Sequence, residues 1–237
     1  MNFLVQNDGW SSDAFANFYN QVVILCEKNK EVRILEIGGG RSPLFKISDL
    51  PANVVSYTVN DIEQSELDLA PKGYELACFD ACGDVSAYAG KFDIIFSKML
   101  AEHVPDGQKF HTNNLSMLKE GGVALHFFPK LYALPFSVNY LLPETLSRRL
   151  LFLFFKDREF IVPKFPAKYS WCRGTVKTVG RRISNLGYAQ VRVIPFYGHS
   201  YYKKIPVVRS IEKLFRKFAR NIGLSICAPY VYVFATK

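Results

Sequence analysis

The sequence has few cysteines and histidines, which build disulfide frameworks and many metal sites, and it has no long apolar run. It has 237 residues, of which 5 are cysteine, 4 histidine and 2 tryptophan. The cysteines are odd in number and form no C-x-x-C pair, which predicts reduced thiols in a cytoplasmic protein. No run reaches the roughly 18–20 apolar residues of a membrane-spanning helix. The first nine residues lack the basic and apolar pattern of a secretory signal.

Acidic residues are scarce in the second half of the chain. The formal net charge is +9, yet residues 1–129 hold 10 Lys and Arg against 17 Asp and Glu, whereas residues 130–237 hold 20 against 4. An excess of this size attracts anions, which predicts a phosphorylated or nucleotide-linked substrate, a nucleic acid or an anionic lipid surface as partner. A solvated basic face without a specific partner is the alternative.

Apolar runs alternate with helical patterns over the first 130 residues, and the alternation returns near the end. The order predicts one α/β domain over residues 1–237, with a mainly parallel sheet covered by helices on both faces. Helices are predicted over about 11–30, 44–50, 106–118, 175–186 and 207–222. Strands are predicted over about 32–37, 54–59, 75–79, 92–97, 123–128, 189–195 and 230–235.

Three consecutive glycines follow the first predicted strand, in Val32-Arg-Ile-Leu-Glu-Ile-Gly-Gly-Gly-Arg-Ser-Pro43. Glycine lets the chain turn sharply and lets its backbone approach a ligand without a Cβ in the way. A helix after such a turn directs free N–H groups at that ligand. A dinucleotide-binding loop would read G-x-G-x-x-G, but Pro43 stands in place of the third glycine, which weakens a nicotinamide or flavin interpretation.

The loop resembles motif I of class I S-adenosylmethionine-dependent methyltransferases, [D/E]-x-G-x-G-x-G, except that Ser42 replaces the last glycine. Further pieces follow in the family's order across residues 32–128. They are Tyr57-Thr-Val-Asn-Asp61, Cys78-Phe-Asp-Ala81, Phe92-Asp-Ile-Ile-Phe-Ser97, Ala101-Glu-His-Val104 and Leu118-Lys-Glu-Gly-Gly-Val-Ala-Leu125. The resemblance implies a Rossmann-like three-layer sandwich, with a mostly parallel seven-stranded sheet, one antiparallel strand and a helical insertion after strand five.

The resemblance also implies S-adenosylmethionine as cofactor and S-adenosylhomocysteine as product. Asp61 matches the acid that binds both ribose hydroxyls, and Asp80 matches the acid that contacts the adenine amino group. The predicted cofactor-binding residues all lie in these motifs: Glu36, Gly38, Gly39, Gly40, Ser42, Asp61, Ile62, Asp80, Ala81 and Ser97. No metal site is predicted, because the histidines have neither HExxH spacing nor a paired carboxylate beside them.

Histidines are the candidates for a catalytic base, since an oxygen acceptor with a high pKa must lose its proton during methyl transfer. His103 and His126 are predicted to follow strands four and five, whose carboxyl ends face the ligand crevice of such a sheet. His199, in an aromatic-rich loop, is a further candidate. His111 is expected on a helix face.

Two segments of the second half predict an acceptor surface. Residues 130–172 stand where a lid or an acceptor-binding insertion fits, and 143–155 is more apolar than one helix face requires. Residues 203–223 are predicted as an inserted basic amphipathic helix that suits an anionic membrane surface. A helix packed on the domain with its lysines in water is the alternative.

The sequence therefore favours a methyltransferase that acts on a small-molecule, glycan or lipid-linked anionic acceptor, with O-methylation expected. The resemblance also implies action on bacterial surface-sugar intermediates. The reduced thiols predict a cytoplasmic protein, and the apolar and basic segments predict a peripheral contact with the inner membrane face. An RNA methyltransferase is the first alternative. Against it, no RNA-binding module is recognisable. An enzyme that methylates the amino group of a nucleobase has an Asn-Pro-Pro-Tyr-type motif after strand four, and this chain has Ser97-Lys-Met-Leu there. A non-catalytic cofactor-binding protein is the second alternative.

Overall fold

The computed structural model describes residues 9–133, 137, 166–199 and 206–237, and it describes their side chains except those of 206–209, 211 and 212. The apolar segment over 143–155, most of the predicted insertion over 130–172 and the start of the one over 203–223 lie outside these residues. Among the described residues, no helix combines the length and apolar character needed to cross a membrane.

Helices and strands alternate along the described chain much as the sequence predicts. The helices are α1 (Ser11–Cys26), α2 (Gln64–Leu67), α3 (Gly107–Met117), α4 (Val176–Ser184) and α5 (Pro206–Asn221). The strands are β1 (Val32–Ile37), β2 (Val54–Asp61), β3 (Glu75–Cys78), β4 (Phe92–Lys98), β5 (Leu118–Pro129), β6 (Gln190–Phe196) and β7 (Tyr230–Thr236).

The described strands form one sheet in the order β3-β2-β1-β4-β5-β7-β6. Strands β1 to β5 pair in parallel, whereas β7 runs antiparallel to both of its neighbours, β5 and β6. This confirms the predicted Rossmann-like sheet with one antiparallel strand. The strand order reverses between β1 and β4, and ligands of open α/β sheets bind beside such a reversal, at the carboxyl ends of the strands.

Aromatic side chains fix α1 against the sheet. Phe18 is fully buried, and its ring centre lies 5.7 Å from that of Phe127 and 6.1 Å from that of Phe96. The buried hydroxyl of Tyr232 donates a hydrogen bond to the carbonyl of Ala14. Rings of this size bury much apolar area and prefer offset-stacked and edge-to-face contacts such as these, so they hold helix and strands in a fixed relation.

Local structure differs from the sequence predictions at several places. Helix α1 ends at Cys26, before the predicted end near residue 30, and the short helix α2 is not among the predicted helices. Residues 44–50 contain a single 3-10 turn, Ile47–Asp49, instead of a short α-helix. The sequence predicts that the Gly121-Gly122 pair ends the helix over 106–118, but α3 already ends at Met117 and β5 begins at Leu118. Pairing with β4 jumps from Leu118 to Val123, so the glycines form a bulge within β5.

Candidate functional site

Four parallel strands bring the predicted cofactor residues to one edge of the sheet. We call this edge the crevice; it consists of the carboxyl ends of β1 to β4 and the loops 38–42, 61–63, 79–82 and 99–103. Gly38 follows β1, Asp61 ends β2, and Asp80 comes two residues after β3. Because Asp61 pairs with Cys78 in the parallel register of β2 and β3, the two acids leave the sheet side by side.

The backbone of the glycine loop is fixed by β2. The amides of Gly38 and Gly39 both donate to the carbonyl of Asn60 at 3.0 Å, and the amide of Ser42 donates to the carbonyl of Gly39 at 3.0 Å. Gly38 and Gly40 have φ of +75° and +44°, a region that residues with a Cβ rarely adopt. Gly38 and Ser42 are exposed, so the loop presents its backbone to the crevice.

A side chain on the glycine loop would collide with the surrounding residues. A Cβ at Gly38 would lie 2.5 Å from Cδ1 of Leu100, which comes from the loop after β4. A Cβ at Gly40 would lie 2.7 Å from Oδ2 of Asp61. The glycines thus allow the loop to approach both the acid at the end of β2 and an apolar wall after β4. Such a cradle fits a nucleoside with a short aliphatic tail.

Asn60 connects the glycine loop with β3, a role that the sequence did not reveal. Its side chain is buried, and its Nδ2 donates to the carbonyls of Ala77 at 2.9 Å and Phe79 at 3.0 Å. Its own carbonyl binds the amides of Gly38 and Gly39. The sequence signal for this role is an amide directly after the apolar run of β2.

Asp61 stands half-exposed where β2 ends. Its Oδ1 accepts from the amide of Glu63 at 3.0 Å, which fixes the side-chain orientation. Its carbonyl accepts from the amide of Phe79 at 3.2 Å. The next residue, Ile62, exposes its side chain at the crevice. A carboxylate held in this way can accept further hydrogen bonds from hydroxyl groups.

Asp80 stands exposed on the loop after β3. Its Oδ1 accepts from the amide of Cys82 at 2.8 Å, a local bond that orders the turn. Ala81 is buried, and its carbonyl accepts from Nδ2 of Asn113 on α3 at 2.9 Å. The loop therefore has a fixed backbone that places the Asp80 carboxylate at the crevice.

An ion pair joins the glycine loop to α2. Arg41 donates from Nε and Nη2 to the two carboxylate oxygens of Glu66, at 2.5 and 2.6 Å. This pairing raises the pKa of Arg41 and lowers the pKa of Glu66. The bidentate geometry orients both side chains, so the loop and the segment after Asp61 are held together at the surface.

Glu36 lies beneath the glycine loop, away from the open side of the crevice. It is buried, and its Oε2 accepts from the amide of Leu44 at 3.0 Å and from the hydroxyl of Tyr57. Burial raises the pKa of Glu36 to about 7, although the bonds from Tyr57 and Leu44 and the charge of Lys98 lower it. The structure therefore places Glu36 as a support of the loop rather than as a direct ligand of the cofactor.

Ser97 and His126 do not reach the crevice, contrary to the sequence prediction. Both are fully buried, and Oγ of Ser97 hydrogen bonds with Nδ1 of His126 at 2.8 Å. His126 lies within β5 instead of after it, and its ring packs against Phe110 and His111 of α3, at 5.0 and 5.3 Å between centres. Burial and, to a smaller extent, the charge of the neighbouring His111 hold the pKa of His126 well below its usual value. A ring enclosed in this way is not placed to receive a proton from an acceptor.

His103 lies in the loop after β4 and borders the crevice. One-third of its side chain is exposed, and Nδ1 lies 3.3 Å from the carbonyl of Pro166. Since a carbonyl only accepts, this contact places the proton of the neutral ring on Nδ1 and the lone pair on Nε2. Burial lowers the pKa of His103, and the bond to Pro166 partly offsets that effect. His103 is thus the candidate base that the structure keeps at the site.

Glu102, which the sequence did not single out, lies beside this histidine. Its side chain is buried, and its Oε1 is 3.6 Å from Nε2 of His103. Burial raises the pKa of Glu102 to about 8. Its carbonyl accepts from the amides of Lys168 and Tyr169 at 2.8 and 2.9 Å, so residues 166–172 close over the loop after β4.

Left-handed backbone conformations cluster in this part of the site. Among the described residues other than glycine, Met99, Tyr169 and Trp171 have positive φ, at 57°, 50° and 63°. Met99 directly follows β4, and its amide donates to the carbonyl of Phe127 at 2.7 Å. Such conformations are costly and tend to occur where a site requires them.

The remaining two histidines lie on α3 and in the segment after β6. His111 is buried on α3, and burial lowers its pKa to about 3. His199 follows β6, and burial together with the charge of Arg216 lowers its pKa to about 4.

Comparison with known proteins identifies the fold. No family model and no curated protein matches the sequence. A SAM dependent methyltransferase from Archaeoglobus fulgidus matches with a TM-score of 0.57 at 13% identity, over 95% of this chain and 94% of that one. Phosphoethanolamine N-methyltransferase 2 of Haemonchus contortus, in complex with phosphomonomethylethanolamine and S-adenosylhomocysteine, matches with a TM-score of 0.53 at 16% identity, over 100% of this chain and 55% of that one.

The [4+2]-cyclase SpnF is also similar, with a TM-score of 0.54 at 13% identity, over 98% of this chain and 85% of that one. The chain thus has the fold of class I S-adenosylmethionine-dependent methyltransferases. Because a cyclase has a similar structure, the chemistry must be argued from the site and not from the fold.

Proposed function

We propose that the crevice binds S-adenosylmethionine and that the protein is a methyltransferase. The observation that supports this best is the approach of the glycine loop to Asp61, where a Cβ at Gly40 would lie 2.7 Å from the carboxylate. A loop that excludes side chains next to an oriented acid is suited to a ribose flanked by a compact group.

Each part of the crevice has a distinct task in this proposal. The backbone of Gly38 to Gly40 lets the cofactor approach, Asp61 accepts hydrogen bonds from the ribose hydroxyls, and Asp80 faces the adenine amino group. Glu36 and Asn60 act behind them by fixing the loop. The cofactor supplies an activated methyl group, and the protein contributes alignment and the exclusion of water.

The acceptor is proposed to be an oxygen nucleophile on an anionic small molecule, glycan or lipid-linked compound. His103 supplies a neutral ring whose Nε2 can take the hydroxyl proton. Burial raises the pKa of Glu102 to about 8 and lowers the pKa of His103, and both shifts favour a neutral ring at this position. The excess of Lys and Arg over residues 130–237 supports an anionic acceptor.

Calorimetry with S-adenosylhomocysteine tests the cofactor site. The wild-type protein is expected to bind one molecule, and Asp61→Ala should weaken binding at least about tenfold, because ribose hydroxyls lose a charged acceptor. Asp68→Ala is the matched control, since Asp68 is an exposed acid at the end of α2. Equal affinity of the Asp61 and Asp68 variants would remove Asp61 from the site, and absence of binding to the wild type would refute the proposal.

A further inference from the structure

Over residues 213–221, α5 contacts the domain through two arginines and an alanine. The guanidinium groups of Arg216 and Arg220 lie over the ring of Trp10, with Cζ 5.0 and 4.8 Å from its centre. Ala219, on the same side, is buried. A surface helix of a globular protein normally buries its apolar stripe and exposes its charges. The described part of α5 has the reverse arrangement.

Large apolar side chains occupy the outward side of α5 instead. Leu214 and Phe218 are 73% and 55% exposed, and Phe215 and Ile222 are exposed to a similar extent. At 3.6 residues per turn these four fall within an arc of about 100° on the helix surface. Isolated exposed apolar residues are common, but a contiguous set marks an interaction site.

Cations border this apolar arc. Lys213 and Lys217 are exposed and lie one turn apart on one side of it. Over residues 213–221 the helix contains no aspartate or glutamate. An apolar arc beside lysines suits a surface that is both apolar and negatively charged, which is the boundary between headgroups and acyl chains in a bilayer with anionic lipids.

We infer that α5 docks this protein on an anionic lipid bilayer, with Leu214, Phe215, Phe218 and Ile222 at the acyl boundary and Lys213 and Lys217 among the phosphates. The opposite side of the helix remains attached to the domain through Trp10. This inference concerns the surface of α5 alone, and it does not require that the crevice binds S-adenosylmethionine.

The docking helix lies at the same sheet edge as the crevice. Strands β5 and β6 are both antiparallel to β7, so the carboxyl end of β6, from which the chain continues to α5, shares the edge formed by β1 to β5. Lys130, after β5, donates to the carbonyl of Ser225, just beyond α5. If the proposed function is correct, a docked protein turns its acceptor side towards the membrane.

Vesicle co-sedimentation tests the inference with the full-length protein. We expect binding to vesicles of two parts phosphatidylcholine and one part phosphatidylglycerol, weaker binding as salt is added, and little binding to phosphatidylcholine alone. Leu214→Ser with Phe218→Ser should reduce partitioning at least about tenfold. Lys213→Gln and Lys217→Gln should each reduce it about fivefold.

Matched controls separate α5 from the rest of the surface. Leu69 is 59% exposed, and Lys72 is exposed beside it, so Leu69→Ser with Lys72→Gln should leave partitioning unchanged. Phe218→Trp should lose fluorescence in vesicles with brominated acyl chains, whereas Leu69→Trp should not. These variants lie outside the crevice, so S-adenosylhomocysteine affinity should stay at the wild-type value and report on the proposed function separately.

Three outcomes would overturn the inference. The first is absence of binding to vesicles of either composition. The second is equal binding to both compositions without salt dependence, because the lysines would then have no part. The third is self-association of the protein that Leu214→Ser with Phe218→Ser abolishes, without vesicle binding, since a second copy would then cover the arc.

Discussion

Replacing Gly40 by alanine should weaken cofactor binding as well as the fold. Gly40 has φ of +44°, and a Cβ there would lie 2.7 Å from Oδ2 of Asp61 and 3.3 Å from Cβ of Glu66. The left-handed backbone costs an alanine roughly 1–2 kcal/mol. The carboxylate of Asp61 must in addition retreat by several tenths of an ångström, and it then no longer meets the ribose hydroxyls.

Gly90→Ala is the control that introduces the backbone strain without displacing a carboxylate. Gly90 has φ of +61°, and a Cβ there would meet nothing within 4 Å. Both variants should therefore lose about 1–2 kcal/mol of unfolding free energy in urea. Only Gly40→Ala should lose about tenfold or more in affinity for S-adenosylhomocysteine, since a hydrogen bond to a charged group contributes about 1.5–3 kcal/mol.

Calorimetry on the two variants measures the affinity for S-adenosylhomocysteine, and urea unfolding measures the loss of stability. Equal affinities of the Gly40 and Gly90 variants for S-adenosylhomocysteine would refute the reasoning, because the close approach to Asp61 would then have no role in binding. If both variants lose the same affinity relative to the wild type, backbone strain alone explains the loss.

Three further predictions concern the residues around the site. Asn60→Ala should reduce the unfolding free energy by about 2–4 kcal/mol, because the Asn60 side chain donates to two carbonyls in the interior. Urea titration measures this loss, with Asn20→Ala, at an exposed residue of α1, as the control. Equal stabilities of the two variants would contradict the prediction. His103→Gln should lower kcat about 100-fold in a methyl-transfer assay. Calorimetry should show an unchanged affinity for S-adenosylhomocysteine. An unchanged kcat would exclude His103 as the base. Burial raises the pKa of Glu102 from 4.5 to about 8, so between these pH values the native state binds more protons than the unfolded state. The unfolding free energy should therefore fall as pH rises from about 4.5 to about 8. Glu102→Gln should flatten that slope, and an unchanged slope in urea titrations would contradict the assignment.

The sheet and its functional edge could be predicted from the sequence because they follow from local patterns. The alternation of apolar runs with helical stretches predicts the parallel strands, and glycines or acids directly after those strands predict what stands at their carboxyl ends. The positions of Gly38, Asp61 and Asp80 are therefore visible in the chain itself.

The orientation of His126 could not be predicted in this way. Most of β5 is buried on both faces, so the alternation of its side chains does not distinguish the crevice from the packed interior. Only the packing of α3 against β5 decides that the ring points to Phe110 and His111.

Other features depend on contacts between distant parts of the chain. Glu102 acquires its raised pKa through burial, and the backbone of Lys168 and Tyr169 closes over it from the second half. The sequence predicts that α5 is amphipathic, but not which side faces the domain. Trp10, some 200 residues earlier, determines that by binding Arg216 and Arg220.

We propose above all that the crevice binds a sulfonium nucleoside between the glycine loop, Asp61 and Asp80. A crystal structure of the protein with S-adenosylhomocysteine tests it most directly. We predict both ribose hydroxyls within about 2.5–3.0 Å of the Asp61 carboxylate, with the adenine beside Asp80 and the homocysteine chain passing over Gly38. A nucleoside bound elsewhere on the protein, with the glycine loop untouched, would contradict the account.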